Sequence, residues 1–376
     1  MLRDPMKKQK RILIYRLGSL GDTVVALPCF HLVAQKYPNS IRILLTNTSV
    51  DEKAPAASSV LGESGLIHGY VSYSVGTRNL IELAKLGWKL RRLHIDMLVY
   101  LTPPRGKAAT RRDEIFFRLC AIKKIVGLPR EQLATYRYDA RTGRYEPEAS
   151  RLARCIAQIG DAHLNDSESW DLQLTQSERL RAANVLRPLN GAPFLALGIS
   201  SKQGIKDWGI NNWKALMPRL RDEFPQHALV FIGAKADCRD FENVRAVWPG
   251  QSLNLAGELS PRESASVIEQ ADIFIGVDSG PMHLAAAVGT PCVSVFASNK
   301  LPGIWFPFGT AHQPIYHRTH CFGCDLQVCN VEKKKCISSI SIDEVIAAAV
   351  RVKNQNRRGT EGSKSLLKSL TSCSPC

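Results

Sequence analysis

The chain has 376 residues, 44% hydrophobic and 22% charged, with a formal net charge of +16. That length suits two domains of ordinary size better than one core, and the composition excludes a disordered or low-complexity protein. No apolar run approaches the roughly 18–20 residues of a membrane-spanning helix, and the basic N-terminus leads into a strand-like run, not a signal-peptide core. The expected location is the cytoplasm.

Strands are expected at 11–16, 41–46, 66–72, 95–101 and 123–126, and again at 193–198, 228–232, 252–255, 272–277, 291–296 and 313–316. Helical patterns fill the gaps, as at 211–223, 236–247, 261–270 and 341–353. Such alternation means α/β architecture: parallel sheets with helices on both faces. There are two series, so two doubly wound, Rossmann-like domains are expected, at 1–175 and 176–353. The polar stretch 161–192 reads as the linker, and residues 354–376 as a basic, disordered tail. Two such domains would face a cleft lined by the carboxyl ends of their strands, where ligands bind.

The first loop of interest is Arg16-Leu17-Gly18-Ser19-Leu20-Gly21-Asp22, directly after the first strand. Gly18 and Gly21 would let the backbone turn tightly beside a ligand. The spacing lacks the third glycine of a dinucleotide fingerprint, which argues against a nicotinamide or flavin cofactor. Asp22 has two readings: the N-cap of the next helix, or a carboxylate at a strand end placed for general-base work.

In the second half, Gly198-Ile199-Ser200-Ser201-Lys202 and Lys206-Asp207-Trp208 follow a strand. Hydroxyls, backbone N–H groups and Lys206 would grip a pyrophosphate, while Trp208 and Trp213 can equally be core. Gly233 ends another strand where a base or ribose could lie. Asp278-Ser279-Gly280 then opens a short Ala-rich helix carrying His283, with Pro281 expected at its first position. A helix start of this kind favours anions.

Residues 1–11, 85–112 and 351–376 carry +4, +7 and +5, which is the whole excess of positive charge. They read either as solvated tails and a charged helix face, or as attraction to an acidic lipid surface, a phosphorylated glycan or nucleic acid. Of eleven cysteines, Cys29, Cys120, Cys155, Cys238 and Cys292 read as small core or near-core residues. Cys321, Cys324, Cys329 and Cys336 are clustered as C-x2-C-x4-C-x6-C. A structural zinc fits the count, although the last spacing is loose; disulfides do not suit a reducing compartment; a structural loop is the favoured reading.

R-x-G-S-L-G-D at 16–22, K-x-W-x4-W at 206–213 and V-D-S-G-x-x-H-L-A-A-A-x-G-T-P at 277–291 together resemble glycosyltransferase family 9, the ADP-heptose:lipopolysaccharide heptosyltransferases. The resemblance runs in order over about 11–350. One departure is Leu197-Gly198-Ile199, where many members carry His-Pro-Gly. It implies a GT-B fold with an N-terminal acceptor domain and a C-terminal nucleotide-sugar domain, and an inverting transfer that needs no metal. It also implies Asp22 as base, Lys206 as a catalytic donor-phosphate lysine, and Asp278, Ser279, Gly280 and His283 around the donor; Ser200, Ser201 and Gly233 join that donor set from the loop reading, not from the resemblance. Gly18, Gly21, Arg105, Arg111 and Arg112 would then face an anionic glycolipid acceptor, at the cytoplasmic face of the inner membrane. No D-x-D metal motif adjoins an apolar strand, and no cofactor beyond the donor substrate is expected. The alternatives are a nucleotide-sugar epimerase or hydrolase of the same fold, and a basic nucleic-acid-binding protein. The latter is disfavoured because aromatic residues do not interleave with the basic runs.

Overall fold

The computed structural model describes residues 9–48 and 55–355. The basic terminus before residue 9 and the expected tail from residue 356 onward lie outside that range. The chain forms two compact units. The first comprises Met1–Val185, Leu259–Val267 and Lys300–Phe308, and the second Leu186–Glu258, Ile268–Asn299 and Gly309–Cys376. No helix among the described residues is long and apolar enough to cross a membrane.

The first unit is built on β1 (Arg11–Tyr15), β2 (Ile41–Asn47), β3 (Gly69–Tyr73), β4 (Met97–Tyr100) and β5 (Lys124–Val126), all parallel in the order β3-β2-β1-β4-β5. A small antiparallel hairpin, β6 (Tyr138–Asp139) and β7 (Arg144–Tyr145), follows. The second unit holds β8 (Phe194–Gly198), β9 (Ala228–Phe231), β10 (Ser252–Asn254), β11 (Ile273–Val277), β12 (Cys292–Phe296) and β13 (Gln313–Tyr316), parallel in the order β10-β9-β8-β11-β12-β13. Every residue of β8, β11 and β12 is buried. Covered on both faces, such strands read as continuous apolar runs without alternation. All eleven expected strands are present, and the architecture is α/β and doubly wound.

In each sheet the strand order reverses beside the first strand. Between β1 and β4, and between β8 and β11, neighbouring loops leave the carboxyl edge in opposite directions and open a crevice. The Arg16–Asp22 loop lies at the first of these switch points. The Ser200–Lys206 and Asp278–Gly280 loops lie at the second.

Two expectations need correction. The stretch 161–192 is not a plain linker: Gln176–Leu186 is helical and Trp170 is buried, stacked on Phe308 at 4.9 Å. The helix is held because Glu178 accepts the Thr175 N–H at 2.7 Å and pairs with Arg262 at 2.6 Å. Cys238 is exposed at the start of helix Cys238–Arg245, since the inward positions of that helix are taken by Phe241 and Val244.

Three charged side chains lie deep in the first unit. Arg16 is 1% exposed, and Glu148 and Arg151, on helix Glu148–Cys155, are fully buried. Glu148 accepts from Arg151 Nε at 2.7 Å and Nη2 at 2.8 Å, from Arg16 Nη1 at 3.2 Å and from the Tyr136 hydroxyl at 2.9 Å. Burial alone would raise the Glu148 carboxyl, but the two guanidinium groups outweigh it and hold the carboxyl below its ordinary value. Glu148→Gln should cost ~3–5 kcal/mol in urea unfolding at neutral pH, because buried Arg151 loses its counter-charge and buried Arg16 loses one of its two carboxylate partners. Glu148 contributes its full stabilisation above the unfolded carboxyl value of about 4.3 and loses it as pH falls through the lower folded value. The gap between wild type and variant should therefore close in acid and persist at higher pH.

Candidate active site

In the first unit, β1 ends at Tyr15 and the chain turns through Gly18, whose φ of +127° favours glycine. Ser19 is the N-cap of helix Leu20–Val24. Asp22 is therefore not the N-cap; it is the third helical residue and reaches back to the cap. Its Oδ2 accepts the Ser19 N–H at 2.9 Å and lies 3.4 Å from the Ser19 hydroxyl. The same carboxylate packs directly beneath Gly18, where a Cβ would stand 2.1 Å from Asp22 Cγ. Gly21 makes no turn, since it lies inside the helix.

Arg16 fixes this loop from below. Its Nε donates to the Asp22 carbonyl at 2.7 Å and its Nη1 to the Leu101 carbonyl at 2.7 Å. Its Nη2 lies 3.6 Å from Asp22 Oδ1. One carboxylate oxygen is thus tied to the helix cap. The other faces a buried cation, on a side chain that is 24% exposed. This is a carboxylate held in one orientation with an edge open to solvent, as general-base work requires.

A tyrosine cluster lies at the same edge of the sheet. Tyr15, Tyr73 and Tyr100 close strands β1, β3 and β4, and the hydroxyls of Tyr15 and Tyr73 are 2.6 Å apart. Arg105, in the loop after β4, donates to Tyr15 at 3.3 Å, to Tyr100 at 3.1 Å and to Asp113. Burial, with the neighbouring hydroxyl and carboxylate, keeps Tyr15 protonated far above the ordinary tyrosine range. Arg111 and Arg112 lie further along helix Lys107–Leu119 and are exposed. Of the three arginines assigned to an acceptor, only Arg105 joins this cluster directly; Arg112 reaches it through Asp113 Oδ1 at 3.3 Å.

In the second unit the turn Gly204–Lys206 brings Lys206 Nζ to 2.7 Å from Asp278 Oδ2, with side chains 15% and 6% exposed. Ser201 Oγ donates to the Asp278 carbonyl at 3.3 Å, and Ser200 lies half-buried beside it. Trp208 and Trp213 are core: they meet edge to face at 4.8 Å, and Trp208 Nε1 donates to the Ile340 carbonyl at 2.9 Å. Their packing anchors the segment that carries Lys206. Gly276 and Gly198 are register partners, and a Cβ on Gly276 would meet the Gly198 carbonyl oxygen at 2.4 Å. The strands can approach this closely beneath the two loops only because a glycine stands at this register in each.

Ser279 caps helix Gly280–Ala287, so Gly280 is its first residue and Pro281 its second, one place later than expected. The first-turn N–H groups have no acceptor within the helix, and its positive end favours an anion. The Ser279 hydroxyl is buried without a hydrogen-bond partner, and His283 is buried on the same helix. Gly233 follows β9, the neighbour of β8, and packs against the Phe241 ring, which a Cβ would meet at 2.6 Å.

The cysteines divide. Cys336 is in the core, while Cys321, Cys324 and Cys329 are half-exposed. Among the described residues no three His, Cys, Asp or Glu side chains are placed to hold a metal ion. Backbone N–H groups, that of Lys334 foremost at 3.2 Å, hold the Cys329 thiol below its ordinary range. This segment closes on the Lys206 turn and on the loop after β12: Ile205 N–H donates to the Gln327 carbonyl at 3.2 Å, and Asp325 N–H to the Asn299 carbonyl at 2.8 Å. Sequence reasoning missed the Arg16–Glu148–Arg151 network, the tyrosine cluster and the buried Ser298-Asn299 pair after β12. The one available signal was Arg16 itself, a charge placed directly at a strand end.

Gly18→Ala combines a disfavoured φ with a direct clash against Asp22. It should cost on the order of 1–3 kcal/mol in chemical denaturation, and a crystal structure should show the Asp22 carboxylate displaced from Ser19.

The family model for glycosyltransferase family 9 (heptosyltransferase) matches residues 114–336. Lipopolysaccharide heptosyltransferase 3 of Escherichia coli K12 is 32% identical over 108 residues, which cover 28% of this chain and 31% of that protein. Lipooligosaccharide heptosyltransferase 2 of Campylobacter jejuni is 24% identical over 176 residues, 46% of this chain and 54% of that protein. The chain thus aligns with about a third to a half of the length of these curated relatives. The solved family 9 glycosyl transferase of Veillonella parvula superposes with a TM-score of 0.68 at 18% identity, covering 93% of this chain and 99% of that one. ADP-heptose lps heptosyltransferase II of E. coli superposes with a TM-score of 0.63 at 17% identity, covering 92% and 99%. At such identities the likeness shows the shared GT-B fold. The family model spans more than half of the residues, and on that ground the chain belongs to glycosyltransferase family 9, the heptosyltransferases.

Proposed function

We propose that the protein transfers a heptosyl group from ADP-heptose to a lipopolysaccharide core or related lipid-linked glycan, with inversion at the transferred carbon. Family membership supports the reaction class, and the names of its relatives support the donor and acceptor classes. The observation that carries the chemical reading is the Asp22 carboxylate, tied at Oδ2 to Ser19 and partly exposed. Asp22 takes the proton of the acceptor hydroxyl as that oxygen bonds to the anomeric carbon. The bond from that carbon to the diphosphate breaks, and ADP leaves with the electron pair. A positioned base of this kind contributes typically ~10²–10⁴ in rate.

Lys206 and the N–H groups at the start of helix Gly280–Ala287 meet the charge that develops on the diphosphate. Asp278 holds Lys206 in place beforehand, so little reorganisation is needed when the anion arrives. Arg105, ringed by tyrosine hydroxyls, offers polar contacts to the acceptor. An epimerase or hydrolase would consume the donor with no acceptor present, and family membership does not favour it.

Asp22→Asn should reduce transfer by about 10²-fold or more while the thermal shift produced by ADP-heptose stays near that of the wild type. Retained near-full activity would remove Asp22 from the role of base. Lys206→Ala should instead abolish the thermal shift given by the donor, and a shift of wild-type size would exclude Lys206 from the diphosphate site.

A further inference from the structure

Helices Leu80–Arg92 and Lys107–Leu119 cover one face of the first sheet. Their inward residues Leu86, Leu90 and Phe117 share a core with Leu13, Tyr15 and Leu98. The helices lie side by side, for a Cβ on Gly87 would touch Cys120 Sγ at 3.6 Å. Their outward faces therefore form one surface. Opposite Leu86 and Leu90, the helical period aligns Ile81, Lys85, Trp88 and Arg92 in a single stripe. Opposite Phe117 it aligns Arg111, Arg112, Ile115 and Leu119.

Leu80, Ile81, Trp88 and Leu119 are 78%, 67%, 61% and 69% exposed. A lone exposed apolar residue means nothing, but six of the twelve large exposed hydrophobics among the described residues lie on these helices or at Val75 just before them. Clustering of this kind marks an interaction site. The charge is one-sided as well, because the two helices carry eight lysines and arginines. Asp113 is buried against Arg105, and Glu114 is taken by Arg118 and Arg130, which leaves Glu82 as the other acid. Arg92 lies 4.6 Å from the Trp88 ring centroid. An obligate protein interface would be poorer in lysine, and a single exposed tryptophan is a poor stacking platform for nucleic acid. Basic side chains around Trp, Leu and Ile are the composition of helices that lie in a bilayer interface, their stems in the apolar layer and their charges on phosphates.

We propose that this two-helix face docks the protein on an anionic lipid bilayer. Ile81, Trp88, Ile115 and Leu119 enter the boundary between headgroups and acyl chains, and the surrounding lysines and arginines contact lipid phosphates. Crossover helices run antiparallel to their strands, so Leu80 and Lys107 lie at the sheet edge that carries Asp22 and Arg105. Docking therefore orients the sheet edge that carries the candidate base relative to the bilayer. Only this purpose, and not the surface, rests on the reading of a lipid-linked acceptor.

The test is co-flotation of the full chain with vesicles of phosphatidylethanolamine and phosphatidylglycerol, against phosphatidylcholine alone. The anionic vesicles should bind, binding should fall with salt, and brominated lipid should quench Trp88. At about fivefold per basic side chain, Lys85→Gln/Lys89→Gln/Arg91→Gln should weaken partitioning on the order of a hundredfold. Ile81→Ser/Trp88→Ser keeps every charge and should lose on the order of tenfold or more. These side chains are exposed, so the circular dichroism spectrum should be unchanged. Equal binding to phosphatidylcholine, or unchanged binding by both variants, would overturn the proposal. So would binding removed only by neutralising residues 1–11 or 351–376, or an apolar variant that abolishes self-association and leaves flotation intact. A chain that floats with anionic vesicles yet transfers no sugar would sink the transfer reading and leave this surface standing.

Discussion

The first unit is organised around one buried guanidinium. Arg16 leaves the end of β1 and donates to backbone carbonyls of its own loop and of the loop after β4, then to Glu148 on a helix more than a hundred residues away. Arg151 shares that carboxylate and donates to the Thr102 carbonyl at 2.9 Å. A cation this deep is tolerated only when carboxylates match its charge and neighbouring oxygens take up most of its donors; Nη2 alone has no hydrogen-bond partner and faces Asp22 Oδ1 at 3.6 Å. The geometry that meets those demands also fixes three segments at the carboxyl edge of the sheet. Asp22 inherits its orientation from that arrangement, held from above by Ser19 and faced from below by Arg16 Nη2.

The second unit solves a similar problem with a shorter reach. Lys206 and Asp278 neutralise each other at the junction of β8 and β11, where two glycines bring neighbouring strand ends close together. The pair has little exposure, so its attraction is weakly screened, and an incoming anion would meet a lysine already aimed. Both units place charged side chains where strand order reverses, since there the loops diverge and leave room for a ligand.

Strand positions were legible because parallel strands covered on both faces are apolar throughout, and turn residues bound them clearly. The motif loops were legible for a related reason: each follows directly on such a strand. Helix Gln176–Leu186 was obscured by polar composition, its stability coming from the tertiary ion pair of Glu178 with Arg262. The domain division is not a simple cut in the chain either. Segments 259–267 and 300–308 cluster with the first unit. Arg262 donates to carbonyls of Val60, Leu172 and Gln173, and Ile304 accepts the N–H of Glu148. Contacts of this kind link residues far apart in sequence and carry no periodic signal.

By itself the sequence determined the architecture, the two motif-bearing edges and the family resemblance, because burial periodicity and loop motifs are local properties. Tertiary structure decided what each candidate does there. It made Asp22 a cap-tied carboxylate and not an N-cap, paired Lys206 with Asp278, put Trp208 and Trp213 into the core, and packed Gly233 under Phe241. It also separated Cys336 from its neighbours and turned the basic segment into the outward face of two adjacent helices. The reason is physical: the orientation and charge state of a side chain depend on partners brought from elsewhere in the chain. Arg16 could be read as a charge at a strand end, but Glu148, which makes its burial tolerable, lies 132 residues away.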